Sequence, residues 1–377
     1  VNGLSGTGES AERILFEDVG NLIGQHHQLW GQFDSSRVLL TGVTGFVGSF
    51  LVRFFSGLRQ QGVADVALVL CGRNEEKARN RLGAFIDPER DSFLIGDVRD
   101  SLTEAAISGI DFCVHAASNA NPVAYSRDPV GTLMTNVCGT YHVIDALRGQ
   151  ASTLRRMVYL SSVEAYGRHD NQLPLTEGSD GSMDPSNVRD CYPVGKIAAE
   201  NLCAGAVAQY GLPVSVARLS YLYGPGDSID DPKVTTAFLA DLKAGRDIMM
   251  LSSGRQRRTY CYIEDAVFAI LLLLLRGDNR TYNVSSMADI VTVADIARTA
   301  VDLFGNGVQK VRFEQPSERV GSRFSPIQDN ILDNTRIRRL GFKASMDFRT
   351  GFERTGLYFG LARGYGGKET GGRTRGQ

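Results

Sequence analysis

Paired cysteines, metal-ligand spacings, long apolar runs and a strong net charge are all missing from this sequence, and each absence removes a class of function. Cys71, Cys113, Cys138, Cys191, Cys203 and Cys261 are scattered with no close pair. That fits buried thiols in a reducing, cytoplasmic setting better than a disulfide framework or a zinc site. His26, His27, His115, His142 and His169 show no ligand spacing, so no metal is expected. A net charge of -1 and a pI near 6.6 lack the positive field that a nucleic acid or anionic membrane surface requires. The most apolar run, AVFAILLLLL at 266–275, is half the ~20 residues that cross a bilayer. It reads as a buried helix segment. Residues 1–10 lack the charged start and apolar block of a secretory signal.

What is present is a chain of 377 residues, 42% apolar and 22% charged, enough for one large α/β domain with an appended lobe or for two medium domains. Residues 1–10 are polar and glycine-rich, which predicts mobility. In residues 11–30, Ile14, Leu15, Val19, Leu22, Ile23 and Trp30 predict one or two short helices docked on the body. SRVLLTGVTGFVGSFLVRFF then reads as strand, glycine turn and helix. The alternation continues with the strand ADVALVLC, the helix NEEKARNRLGAFI, the strand DSFLIGD, a helix starting near Ser101, the strand DFCVHAA, a helix over 129–148 and the strand RRMVYLSS. Such alternation implies a mostly parallel sheet covered on both faces. Beyond residue 210, helices at 233–245, 264–276 and 292–304 with short strands between them predict a smaller α/β lobe. TYNVSS at 281–286 is placed to return to the main sheet, which makes that lobe discontinuous. The tail from Gly360 is rich in glycine and arginine, so it reads as disordered or extended. An RNA contact through Arg363, Arg373 and Arg375 is the alternative for that tail.

Within GVTGFVG, Gly42 permits a tight turn, Gly45 lets backbone approach a pyrophosphate, and Gly48 allows the helix to pack closely on the sheet. Amides at the helix start, with Thr44, Phe46 and Val47, then face the phosphates of a dinucleotide. A purely structural glycine turn is the alternative. Where an acid at the end of the second strand would receive the adenosine ribose, the sequence has Cys71-Gly72-Arg73-Asn74. Arg73 could grip a 2′-phosphate and favour NADP, stack on adenine, or simply be solvated. Asp97, followed by Val98 at the end of the third strand, is better placed to meet adenine; a helix cap is its ordinary role.

Tyr192 and Lys196 lie four apart in CYPVGKIAAE, so on a helix they share a face. An ammonium beside a phenol favours the anionic form of a group that ordinarily titrates near ~10, bringing it toward use as a base. Lys196 could also bond the nicotinamide ribose. An accidental pair is as common. In YLSSVEAYG, Ser162 could donate to a substrate oxygen or cap a turn. Glu164 could bind a sugar hydroxyl, act as acid or base, or form a surface ion pair.

Taken together, TGVTGFVG at 41–48, NVCGT at 136–140, SSVEAYG at 161–167, YPVGK at 192–196, RLSYLYGPG at 218–226 and GRQRRTYCYIEDA at 254–266 resemble the extended short-chain dehydrogenases that act on nucleotide sugars. The resemblance spans residues 36–343. It implies a Rossmann-type α/β fold, a tightly held NAD, a UDP-linked sugar substrate, and a homodimer formed through paired helices. It also implies a division into an extension (1–35), a mainly dinucleotide-binding part (36–215), a mainly nucleotide-sugar-binding part (216–359) and a tail (360–377). By the same resemblance Tyr192 is the base for the C4 hydroxyl, Lys196 its activator and Ser162 its hydrogen-bond partner. Asn136 would support the lysine and local water, and with Ser118 would lie at the substrate. Arg258 would bind the diphosphate, although by charge alone it could pair with Glu264 or Asp265.

HAASNANPVAYSRDPVGTLMTNVCGT and Arg189-Asp190-Cys191-Tyr192 are similar to UDP-glucuronate decarboxylases, which implies conversion of UDP-glucuronate to UDP-xylose through a 4-keto sugar. Val163 cannot protonate a leaving hydroxyl, which argues against dehydration. Ser220-Tyr221 departs from the usual pair before YGP. The cation for the sugar carboxylate would be Arg323 or Arg319. A C4 epimerase of a UDP-uronic acid or other nucleotide sugar, and an NADPH-dependent reductase, stay open as alternatives.

Overall fold

The computed structural model describes residues 6–102, 107–169, 173–288, 290–314 and 328–364. Its centre is a seven-stranded sheet built from β1 (Ser36–Thr41), β2 (Val66–Gly72), β3 (Ser92–Ile95), β4 (Phe112–His115), β5 (Arg156–Ser162), β6 (Val214–Leu219) and, after further elements, β10 (Thr281–Val284). The spatial order is β10-β6-β5-β4-β1-β2-β3, and every neighbouring pair is parallel. The order reverses beside β1, where an open parallel sheet leaves a crevice for ligands. The predicted return of 281–286 is therefore found, as β10 beside β6 in the register Thr281↔Val216.

Alternate strand residues feed two cores. Leu39, Val69, Cys113 and Tyr159 meet α6 (Pro129–Arg148) and α7 (Cys191–Tyr210) on one face. Val38, Leu40, Leu68 and Val158 meet α3 (Phe46–Gln60) and α9 (Ile263–Arg276) on the other. Helix α9 holds the longest apolar run and is buried from Ile263 through Leu274, as a helix that is apolar all round must be. The predicted helix over 129–148 is α6. Helix α4 (Glu75–Leu82) stops in a 3-10 turn, short of the predicted segment's end. Most of the helix expected near Ser101 falls outside the described residues.

Smaller sheets flank the main one. β7 (Tyr221–Tyr223), β9 (Arg257–Tyr262) and β11 (Ile290–Thr292) form one, and β8 (Ile248–Met250) pairs with β12 (Val311–Phe313). Helices α8 (Val234–Lys243) and α10 (Val293–Phe304) complete this part, and Thr292 opens α10 with a capping box to Asp295. Among the described residues no helix is long and apolar enough to cross a membrane, and no group of three acidic, histidine or cysteine side chains could hold a metal. All six thiols are free.

The N-terminal segment differs from its expectation. Helix already begins at Gly6 and continues as one element, α1 (Gly6–Gln25), before α2 (His27–Trp30). Glutamate and alanine at positions 9–12 favour helix enough to outweigh the glycines. α1 is tied down at Asp18, which accepts from Tyr262 Oη at 2.6 Å and from Arg354 Nε at 2.9 Å. Burial pushes Asp18 up to about 6. Burial, with Asp18 and Asp265 nearby, pushes Glu264 from 4.5 up to about 8. A carboxyl raised on folding favours the native state below its unfolded value, and that contribution is lost as pH rises through the folded value. Glu264→Gln should therefore match the parent in thermal melts near pH 4 and melt roughly 2–4 °C higher near pH 9. A gap that does not widen with pH contradicts this assignment.

Candidate active site

The glycine turn joins β1 to α3. Gly42 sits at φ +70, and a Cβ there would lie 2.9 Å from the Ala116 carbonyl, so a side chain is both strained and blocked. A Cβ at Gly48 would lie 2.4 Å from the Gly42 carbonyl oxygen. Helix α3 thus rides on the turn itself, whereas the sequence suggested contact with the sheet. Gly45 starts the helix and donates to Gly42 O at 2.9 Å, with Thr44, Phe46 and Val47 half-buried around it. The first amides of α3 have no intrahelical acceptor and carry the positive end of the helix dipole. This arrangement could hold a pyrophosphate, and it depends on glycines whose side chains would collide with the neighbouring backbone.

At the outer strands, Arg73 is 69% exposed, with Nη1 4.0 Å from Asp97 Oδ2. Asp97 also accepts from Arg99 at 2.9 Å, and these arginines hold it below its ordinary value against the opposing effect of burial. A carboxylate facing Arg73 disfavours a phosphate at that point. Val98 turns inward onto Gly139, where a Cβ would lie 2.8 Å from Val98 Cγ2.

Around the end of β5, Tyr192 and Lys196 lie buried one turn apart on α7. Ser162 Oγ accepts from Glu164 N at 3.2 Å, so it caps the Val163–Tyr166 turn. Ser118 Oγ donates to Asn136 Oδ1 at 2.8 Å, and both hydroxyls lie near enough to the Tyr192 phenol to favour its anion. The expected ammonium–phenol pair is present on one face of α7 but not in direct contact. Lys196 Nζ donates to Leu160 O at 2.7 Å and stands 5.7 Å from the Tyr192 ring centre. Burial and then Glu164 push Tyr192 above its ordinary value, with the two serines opposing. Burial lowers Lys196 to about 7, against the pull of Glu200. Asn136 also departs from expectation. Its Nδ2 donates to Thr132 O at 3.0 Å and its Oδ1 accepts from Ser118 at 2.8 Å, so it positions Ser118.

Burial raises Glu164, while Arg189 and Arg258 pull it down. Arg258 lies over the Tyr221 ring at 4.5 Å, within electrostatic reach of Tyr260, and has its Nε buried with no hydrogen-bond partner among the described residues. Its facing groups are thus Tyr221, Tyr260 and Glu164, while Asp265 accepts from Ser345 N at 2.8 Å. Val163 turns away into an apolar cluster with Tyr166, Leu175 and Leu332. Ser220 Oγ is buried and unpartnered beside this region. Arg319 and Arg323 lie outside the described residues.

Two neighbours escaped the sequence reading. Tyr125 stacks on Tyr192, with ring centres 5.4 Å apart and planes 15° apart, and Arg189 Nη1 donates to Tyr125 Oη at 3.2 Å. Both lay inside quoted stretches, but nothing local marked either as touching the catalytic helix.

The NAD dependent epimerase/dehydratase family matches residues 38–285. This chain belongs to that family. It is therefore an enzyme, its cofactor is NAD, and the glycine cradle with its bare helix amides fits that dinucleotide. Among its relatives is UDP-glucuronic acid decarboxylase 6 of Arabidopsis thaliana, 30% identical over 274 residues that cover 72% of this chain and 76% of the relative. UDP-glucose 4-epimerase from Thermotoga maritima shares the fold with a TM-score of 0.73 at 21% identity, covering 86% of this chain and 98% of that one. UDP-glucuronic acid 4-epimerase from Bacillus cereus, solved with UDP-glucuronic acid and NAD, gives 0.70 at 17% identity, covering 86% and 99%.

Proposed function

We propose that the chain decarboxylates UDP-glucuronate to UDP-xylose through a 4-keto intermediate. The observation that carries this reading is the Glu164 carboxyl facing both Arg189 and Arg258 beside Tyr192, with Val163 withdrawn into the core. The kinship with decarboxylases supports it. In this assignment residues 36–215 mainly hold the dinucleotide, with Gly42, Gly45, Gly48 and the amides of Phe46 and Val47 at the pyrophosphate and Asp97 toward adenine. Residues 216–359 mainly hold the nucleotide sugar, with Arg258 at the diphosphate. When bound, NAD takes up and returns the hydride of C4.

The side chains supply the proton chemistry. Tyr192 removes the C4 hydroxyl proton, Ser162 steadies the same oxygen, and Lys196, protonated below about 7, supplies the compensating positive charge. The C4 ketone then accepts the electron pair left when the bond from C5 to the carboxylate breaks, giving carbon dioxide and an enolate. Glu164, whose burial favours the protonated form, is placed to return a proton to C5. Tyr125 and Arg189 keep the Tyr192 ring in place. Exposed Val130, Met134 and Tyr141 on α6, with Ile197 on α7, support self-association through these helices.

An epimerase would use the same Tyr192 and Ser162 but rotate the keto sugar before reduction. Incubation of the NAD-loaded protein with UDP-glucuronate separates the two. Mass spectrometry should show a UDP-pentose lighter by one carbon dioxide. A product of unchanged mass with inverted C4 would replace this reading with the epimerase.

A further inference from the structure

Helix α1 lies outside the residues that match the family, yet it reaches the cofactor turn. Gly226, in the loop after β7, has φ +93 and no room for a side chain: a Cβ there would lie 3.2 Å from Leu15 Cδ1 of α1 and 3.9 Å from the Phe46 ring. Phe46 is the first residue of α3, at the mouth of the cradle. Leu15 and Phe46 therefore meet at Gly226. The same loop is held from other sides by Arg81, which donates to Gly226 O, and by Lys233. The Lys233 ammonium lies 5.3 Å from the Phe46 ring centre and is held by Asp227 at 3.0 Å.

The seating of α1 combines a buried apolar face, Ile14, Leu15, Val19, Leu22 and Ile23, with a few polar ties. Val19 and Ile23 cross α3 at Gly57, where a Cβ would lie 2.8 Å from Ile23 Cδ1. Nearer the helix start, Glu12 meets Arg53 at only 3.4 Å, and a cleft of about 250 Å³ lined by Phe16, Val19, Arg53 and Phe85 opens in the seam. The strong anchor is Asp18, fully buried between Tyr262 and Arg354.

We propose that α1 is a cofactor-retention element: Leu15, packed against Gly226 beside Phe46, holds the first turn of α3 in place around the dinucleotide. This rests on the chain binding NAD and not on which sugar it transforms. The test uses the full chain loaded with NAD, whose dissociation is followed after rapid removal of free nucleotide. Trp30 emission monitors the helix, because the indole donates to the Leu22 carbonyl of α1 at 3.3 Å. Leu15→Ala, which removes the wedge, and Asp18→Asn, which weakens the anchor, should each raise the NAD dissociation rate by roughly tenfold. Val308→Ser, at an exposed position outside α1 and the site, should leave it unchanged. Unchanged rates in both α1 variants would overturn the proposal, and so would a faster rate in Asp18→Asn alone, which places the effect at Tyr262 and Arg354. A parent protein that holds no NAD would instead overturn the cofactor assignment itself.

Discussion

Tyr192→Phe is expected to lower turnover of the proposed substrate, UDP-glucuronate, by roughly a thousandfold, at the upper part of the range for removing a positioned acid–base group, with NAD still bound. The substitution deletes one oxygen. That oxygen is the base of the proposed cycle, so its loss leaves the C4 hydroxyl with none. The ring itself remains stacked on Tyr125 at 5.4 Å, and the α7 backbone is untouched, so folding should be preserved. Steady-state rates alongside quantification of bound nucleotide check both halves of the statement. A rate within a few-fold of the parent removes Tyr192 from the role of base.

Gly48→Ala is expected to weaken cofactor binding strongly for a steric reason. The added methyl would lie 2.4 Å from Gly42 O and 2.9 Å from both Gly42 C and Val43 Cα, all backbone atoms. No rotamer change relieves such an overlap, so α3 must back away from the turn and carry its free amides out of reach of a pyrophosphate. The dissociation constant for NAD should rise by at least about a hundredfold, equivalent to roughly 3 kcal/mol. Calorimetric titration measures it, with far-UV circular dichroism checking the fold. Near-parental affinity would mean that the turn is a structural glycine bend and not the cradle.

The sequence announced those two features for different reasons. A strand, three spaced glycines and a helix form a local pattern, and local patterns survive in one dimension. The Tyr192–Lys196 spacing likewise predicted a shared helix face, and α7 provides it. What the lysine does there was illegible, because its partner is the backbone carbonyl of Leu160, which carries no residue signature. Asn136 was assigned to the lysine but serves Ser118, a choice made by the packing of α6. Tyr125 reaches Tyr192 from a separate helix, and Asp18 finds Tyr262 and Arg354 across most of the chain. Such pairs are set by how the sheet brings distant segments together. Arg73 shows the same limit: its position left a phosphate, adenine and solvent all open, and the Asp97 carboxylate that faces it follows a different strand.

The central claim is a closed cycle in which C4 is oxidised and restored around carboxylate loss. UDP-glucuronate carrying deuterium at C4, turned over by the NAD-loaded protein without added nucleotide, tests it most directly. The account predicts UDP-xylose that retains deuterium at C4, with no accumulation of free reduced cofactor. Deuterium lost from C4 or collected in released reduced nucleotide would contradict it.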